Sequence, residues 1–334
     1  MTRAPLRDRA IGSRCSRHLT LAAAVVSMTV LAAAVGTSGR VAEARTPERT
    51  AARTSTRTPV RSVAPDWSSV ERTLSDRVKP SSANPCNRGD ELCIDIVLAE
   101  MTRRMGPIAR KCSHLAPFGA TYAIVTQQFS NGWPFTLHDP AYIAHLDALF
   151  ADAYFDAYDA WKRGDSDVDP AWQAAFDAAR AKSVTGLGNL MLGMNAHISN
   201  DLPFVLERIG LEHTDGTDAY DDYALANQVI ADVQNASIDA VAQEFDPTVA
   251  NVSIPGLFVG REGFIALIGT WRAESWARAQ QLLAAPTAAA RKAVADEIRA
   301  TADARALLIR AATSYVPGLT TSRDRDAHCR AQHA

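Results

Sequence analysis

Apolar residues recur at three- and four-residue intervals through most of this chain, and the runs open and close on residues that start and stop helices. Glu91 to Met105 carries Leu92, Ile96, Leu98 and Met101 in helical register, and Gly106-Pro107 is expected to end it. Phe118, Tyr122, Val125 and Phe129 share one side of a second helix. Asp139-Pro140 is an N-cap followed by proline at the first helical position, and Ile143, Leu146, Phe150, Tyr154, Ala157 and Trp161 then mark a long helix. Asp169-Pro170 repeats the device ahead of Trp172 and Phe176. Helical patterns return from Tyr220 to Phe245, Gly263 to Leu283 and Thr287 to Ser314, with Asp246-Pro247 and Pro286 between them, while Thr248 to Gly260 reads as an irregular loop. No strand series and no repeat of fixed period is apparent. The pattern predicts an all-α fold of about seven helices in one bundle-like domain over residues 65–334.

One stretch breaks the rule that a buried helix buries apolar groups. In Gly188 to Glu207, Leu190, Leu192, Met194 and Ile198 are spaced for burial, yet Asn195, His197, Asn200 and Asp201 sit among them and need partners. His197 and Asp201 are four apart, so a helix presents both on one face. Pro203 lacks the N–H that would bond the Ser199 carbonyl, so a kink or an end is expected there.

The N-terminal region has a different character. Five arginines precede an apolar run from Leu19 to Val35, and Ala42-Glu43-Ala44 supplies a small-x-small cleavage site, so residues 1–44 read as a signal peptide and the mature protein as secreted. Cys15 precedes the apolar run and is not placed for a lipid anchor. Residues 45–64 are, apart from Glu48 and two valines, all Thr, Arg, Pro, Ser and Ala, with no apolar side chain larger than Val, and read as a disordered basic linker. No later stretch is long and apolar enough for a transmembrane segment. Beyond residue 64 the chain holds 24 basic and 34 acidic residues, a net charge of −10. That charge weighs against nucleic acid as a partner and favours a small molecule or lipid-like ligand, bound by a monomer. Cys86, Cys93, Cys112 and Cys329 remain after cleavage and suggest two disulfides in one of three pairings.

The polar stretch admits three readings: groups that satisfy backbone freed at Pro203, with Asp201 capping the next helix; half of a divalent-metal site; or a general acid–base pair. In the metal reading His197 and Asp201 supply two ligands, and His114 or Asp222 a third, with zinc as the cofactor. Asn195 and Asn200 are candidate partners of the polar knot. Arg261 and Arg272 are candidate anion holders, and Asp147, Asp152, Asp156 and Asp159 read as a solvated stripe on the long helix. His138, His328 and His333 carry only surface readings. There is no G-x-S-x-G elbow, P-loop or G-x-G-x-x-G. On these residues the chain is expected to be a metal-dependent hydrolase, with a non-catalytic binding or cell-envelope protein as the alternative.

The combination of Cys112 to Phe118 (CSHLAPF), Tyr122 and Thr126, the LGMNAHISNDLP core and the Asp215-Gly216-Thr217-Asp218 turn with Asn227 resembles a bacterial family of unknown function. The resemblance covers roughly Glu91 to Leu283 and implies an all-α fold without an established activity. Where the family pattern has Asp-His, this chain has Asp222-Tyr223, a departure that bears on a ligand role for that helix. His197 to Asp201 and Trp271 to Ser275 are also similar to stretches of zinc-dependent phospholipase C and single-strand nucleases. That likeness implies phosphoester hydrolysis, but this chain lacks the family's tryptophan at the mature N-terminus and most of its His and Asp ligands.

Overall fold

The computed structural model describes residues 92–132, 136–254, 256–316 and 324–333, all within one compact unit of the chain. The expected signal peptide, the linker and Cys86 lie outside the described residues. The described fold is all-α: α1 (Leu92–Arg110), α2 (Ala116–Ser130), α3 (Pro140–Arg163), α4 (Pro170–Arg180), α5 (Gly186–Met194), α6 (Leu202–Ile209), α7 (Tyr220–Glu244), α8 (Gly260–Leu283), α9 (Ala288–Ala312) and α10 (Arg325–Gln332). No described helix is long and apolar enough to cross a membrane.

Local chemistry accounts for most of the boundaries. The Asp139 carboxylate accepts from the Tyr142 N–H and the Asp169 carboxylate from the Ala171 N–H, so each Asp-Pro pair starts its helix as expected. Gly164, at φ 78°, closes α3. Two expectations fail. α1 runs through Gly106-Pro107 to Arg110, because Met105, Ile108 and Ala109 are buried and the core holds one more turn in place. Within the segment read as irregular, β1 (Ser253–Ile254) and β2 (Phe258–Val259) pair antiparallel, Ile254 opposite Phe258.

The axis of the molecule is the helix that runs from α5 through a π-helical segment (Asn195–Asp201) into α6. Helices α2, α3, α4, α8 and α9 all contact it, and every residue of α5 is buried. Thr185 starts it by accepting from the Gly188 N–H. Gly193 lets its backbone lie against Phe118 of α2, where a Cβ would collide with that ring.

α10, which the polar tail did not suggest, is fastened to the start of this axis. Cys112 and Cys329 form a disulfide across 217 residues of sequence. The buried Arg325 guanidinium donates to Asn189 Oδ1 at 2.8 Å and to the Val184 carbonyl at 3.3 Å, with Asp246 3.7 Å away. Asp246 in turn accepts from the Gly186 N–H at 2.7 Å. Cys93 is also disulfide-bonded.

The Gly193 contact gives a direct test of this packing. Gly193→Ala is expected to lower unfolding free energy by about 1–3 kcal/mol, because the Phe118 ring has to leave its rotamer or the helices have to part. A denaturant midpoint equal to that of the wild type would show that the helices do not approach so closely.

Candidate functional site

Pro203 does not end the central helix; the chain changes hydrogen-bond register ahead of it. In the π segment the Leu202 N–H reaches back five residues to the His197 carbonyl. Continued by one residue, that register assigns the missing Pro203 donor to the Ile198 carbonyl, and the Ser275 hydroxyl of α8 lies 2.7 Å from that oxygen and 2.8 Å from the Trp271 carbonyl, so its one proton is shared between the two. The wider turn sends polar side chains in several directions. Asn195 Nδ2 donates to the Ala302 carbonyl at 2.8 Å, and the Ser199 hydroxyl accepts from Arg305 at 2.9 Å. Asp201 accepts from Trp172 Nε1 at 2.7 Å and from Asn200 Nδ2 at 3.0 Å. It gives no cap to α6, contrary to expectation.

His197 Nδ1 lies 3.5 Å from Asp201, and its ring stacks on Phe150 with centroids 3.4 Å apart and planes 5° from parallel. Burial holds this imidazole below its ordinary pKa and outweighs the nearby carboxylate. Burial likewise pushes Asp201 up against the hydrogen bonds from His197, Trp172 and Asn200. A neutral ring with its Nδ1 proton toward Asp201 presents the Nε2 lone pair on the opposite side. His197 also lines a cavity.

The cavity has a volume of about 100 Å³ and lies among α2, α3, the central helix, α7 and α8. Its walls are mostly aromatic and aliphatic, with Phe118, Phe150, Leu146 and Ile268 among them. Four of the lining residues each carry a side-chain atom buried without a hydrogen-bond partner: Thr121 Oγ1, Tyr122 OH, Asp147 Oδ2 and His197 Nε2. Desolvation pushes the Asp147 carboxyl up to about 7 and the Tyr122 hydroxyl well above its ordinary value. Arg272 also lines the cavity, with its guanidinium 4.3 Å from the centre of the Tyr223 ring and bonded to Asn227 Oδ1 and the Tyr223 carbonyl. No carboxylate lies in ion-pair range of it among the described residues.

Residues 94–312 match the family described as "Family of unknown function (DUF5995)". The chain belongs to this family. Nothing among curated proteins or solved structures matches it.

In this family member the four expected metal ligands are dispersed. His197 and Asp201 are neighbours, but among the described residues neither belongs to a group of three side chains able to hold a metal. His114 is buried against Asp326 at 2.6 Å, and desolvation and Arg325 lower its pKa to about 4. Asp222 accepts the backbone N–H groups of His138 and Asp139. Arg261 is bound to Asp239 and Asn235 on the surface, away from the cavity lining. Of the two arginines, Arg272 alone lines the cavity.

The aspartate stripe needs the opposite correction. Asp152, Asp156 and Asp159 are half-buried or exposed, but Asp147 is buried on the cavity wall. Its place was visible as one helical turn from Ile143 and Phe150, both core positions. Tyr122 and Thr121 gave no such signal, because an aromatic at helical spacing reads as ordinary core.

Two substitutions test this arrangement. Ser275→Ala removes the hydroxyl that reaches the Ile198 carbonyl and is expected to cost about 1 kcal/mol of stability or more. An unchanged urea midpoint would remove the hydroxyl from the account. A carboxyl raised by folding contributes stability that is complete below its unfolded value of 3.8 and is lost as pH rises through about 7. Between about pH 4 and about pH 8 the wild type should therefore lose on the order of 4 kcal/mol relative to Asp147→Asn. Parallel stability–pH profiles for the two proteins would show that Asp147 is solvated.

Proposed function

We propose that this chain is an exported, monomeric binding protein for a small, mostly apolar molecule with one polar end. The observation that supports the reading is that four residues lining one mostly apolar cavity each carry a buried polar atom without a partner. An unpartnered buried polar atom is costly, and a few such atoms set in an apolar wall are the usual means of orienting a small ligand. At about 100 Å³ the space is somewhat smaller than the engineered cavity of about 150 Å³ that admits benzene, so it suits the end of a short acyl chain, or a ring whose seating moves the lining side chains slightly. The Arg272 guanidinium and a protonated Asp147 favour a carboxylate or hydroxyl as the polar end. Export accords with the arginine-led apolar run at the N-terminus and with the Cys112–Cys329 disulfide.

A second reading keeps hydrolysis in the same cavity without a metal. Its support is the Asp147 carboxyl held near neutrality beside Tyr122 and His197, a set able to activate a water molecule. A metal-dependent reaction at His197 and Asp201 lacks a third ligand among the described residues.

Calorimetric titration with phenol, benzoate and toluene separates the readings. Phenol or benzoate is expected to bind at least about tenfold more tightly than toluene, with the preference lost in Asp147→Leu. Equal affinity for the three probes, or no binding of any, would overturn the binding reading. Turnover of a nitrophenyl ester that disappears in His197→Ala would establish the hydrolase instead.

A further inference from the structure

A second cluster of chemistry-bearing side chains lies outside the cavity lining, where the segment before α3 meets the loop between α6 and α7. That loop is a narrow turn. Glu212 and Asp218 pair across it, the His213 N–H donates to the Thr217 carbonyl at 2.7 Å, and Gly216, at φ 83°, bonds back to the His213 carbonyl. Only a residue tolerant of the left-handed region closes the turn at Gly216. The closure gathers three groups around the Thr217 hydroxyl. Its oxygen lies 2.6 Å from Asp215 Oδ1, 3.0 Å from His213 Nδ1 and 3.4 Å from His138 Nε2. Ligand-capable atoms of His138, His213 and Asp215 all lie within 4.8 Å of one another. The hydroxyl donates to the Asp215 carboxylate, and His138 Nε2 itself lies 2.8 Å from the other Asp215 oxygen, so the three groups already meet at one point.

His213 is the fixed member, 6% exposed. Its Nε2 lies 3.2 Å from an Asp222 oxygen, at an angle too poor for a hydrogen bond. The carboxylate still selects the tautomer with the proton on Nε2, because a lone pair there would face a negative charge. Nδ1 then carries its lone pair toward the point where His138 and Asp215 meet. Asp222 is itself held by the backbone N–H groups of His138, at 2.9 Å, and Asp139, at 2.8 Å. A carboxylate beside the far nitrogen of an imidazole, able to take its proton once the ring turns toward an ion, is the usual support of a metal-ligating histidine.

We propose that His138, His213 and Asp215 bind a divalent transition cation, zinc foremost, with Asp222 as the positioning residue for His213. Two imidazoles and a carboxylate suit zinc, and three protein ligands leave a fourth position open. The His138 and Asp215 side chains are 56% and 51% exposed, so they can close on the ion while His213 stays in place. The Asp222 chosen from the sequence as a ligand therefore stands one step behind the ligands. His138, read there as a surface residue, is one of them.

The test uses full-length mature protein without a histidine tag, prepared free of metal. Zinc titration by calorimetry is expected to show one site, and cobalt in its place should give a visible absorption band. His138→Ala and Asp215→Asn change exposed side chains and should each weaken zinc by at least about tenfold while the melting temperature without metal is unchanged. His197→Ala should bind zinc as the wild type does. Absence of stoichiometric binding would overturn the proposal, as would undiminished binding in a His138→Ala, Asp215→Asn double variant.

Discussion

A proline inside a buried helix is the constraint on which the rest of this structure depends. Pro203 removes a donor from a helix enclosed by five others, and the chain answers by widening its turn over Asn195–Asp201 instead of bending out of the core. The wider turn shifts the freed acceptor to the Ile198 carbonyl, and the Ser275 hydroxyl of another helix reaches it while also reaching the Trp271 carbonyl. The position of α8 is thus coupled to a backbone fault more than seventy residues earlier in the chain.

Polar residues are held at the centre of the molecule by partners on several sides. Helical spacing already puts Asn195 on a different face from His197 and Asp201. In the π segment Asn195 bonds to α9, Asp201 to Trp172 of α4, and His197 stacks on Phe150 of α3. His197 then has Nδ1 near Asp201, an unpartnered Nε2, and a place in the cavity lining. Residues that satisfy the backbone and residues that face the cavity therefore belong to one device. The structural and functional readings of this stretch are complementary.

The ligand proposal and the metal proposal rest on different parts of the fold. The cavity is formed by helix packing, and its chemistry comes from polar atoms that packing leaves without partners. The His138, His213 and Asp215 cluster is formed by a turn and a helix cap, and its geometry comes from backbone hydrogen bonds. A fault in one does not entail a fault in the other.

Helix positions were legible in the sequence because caps and apolar periodicity are local: Asp139-Pro140, Asp169-Pro170 and Thr287 each start the helix they announce. The importance of Gly188 to Glu207 was legible for the same reason, since polar residues at buried spacing are a local contradiction. Tertiary structure alone decided the partners. The sequence allowed three pairings for four cysteines, and the fold joins Cys112 to Cys329. It allowed His114 or Asp222 beside His197, and the fold gives His114 to Asp326 and Asp222 to the backbone before α3. It made Asp147 one of a solvated stripe, and helix packing turned that residue alone of the four into the cavity wall. The physical reason is that periodicity fixes which face of a helix is buried, whereas the groups brought against that face come from elements far away in the chain.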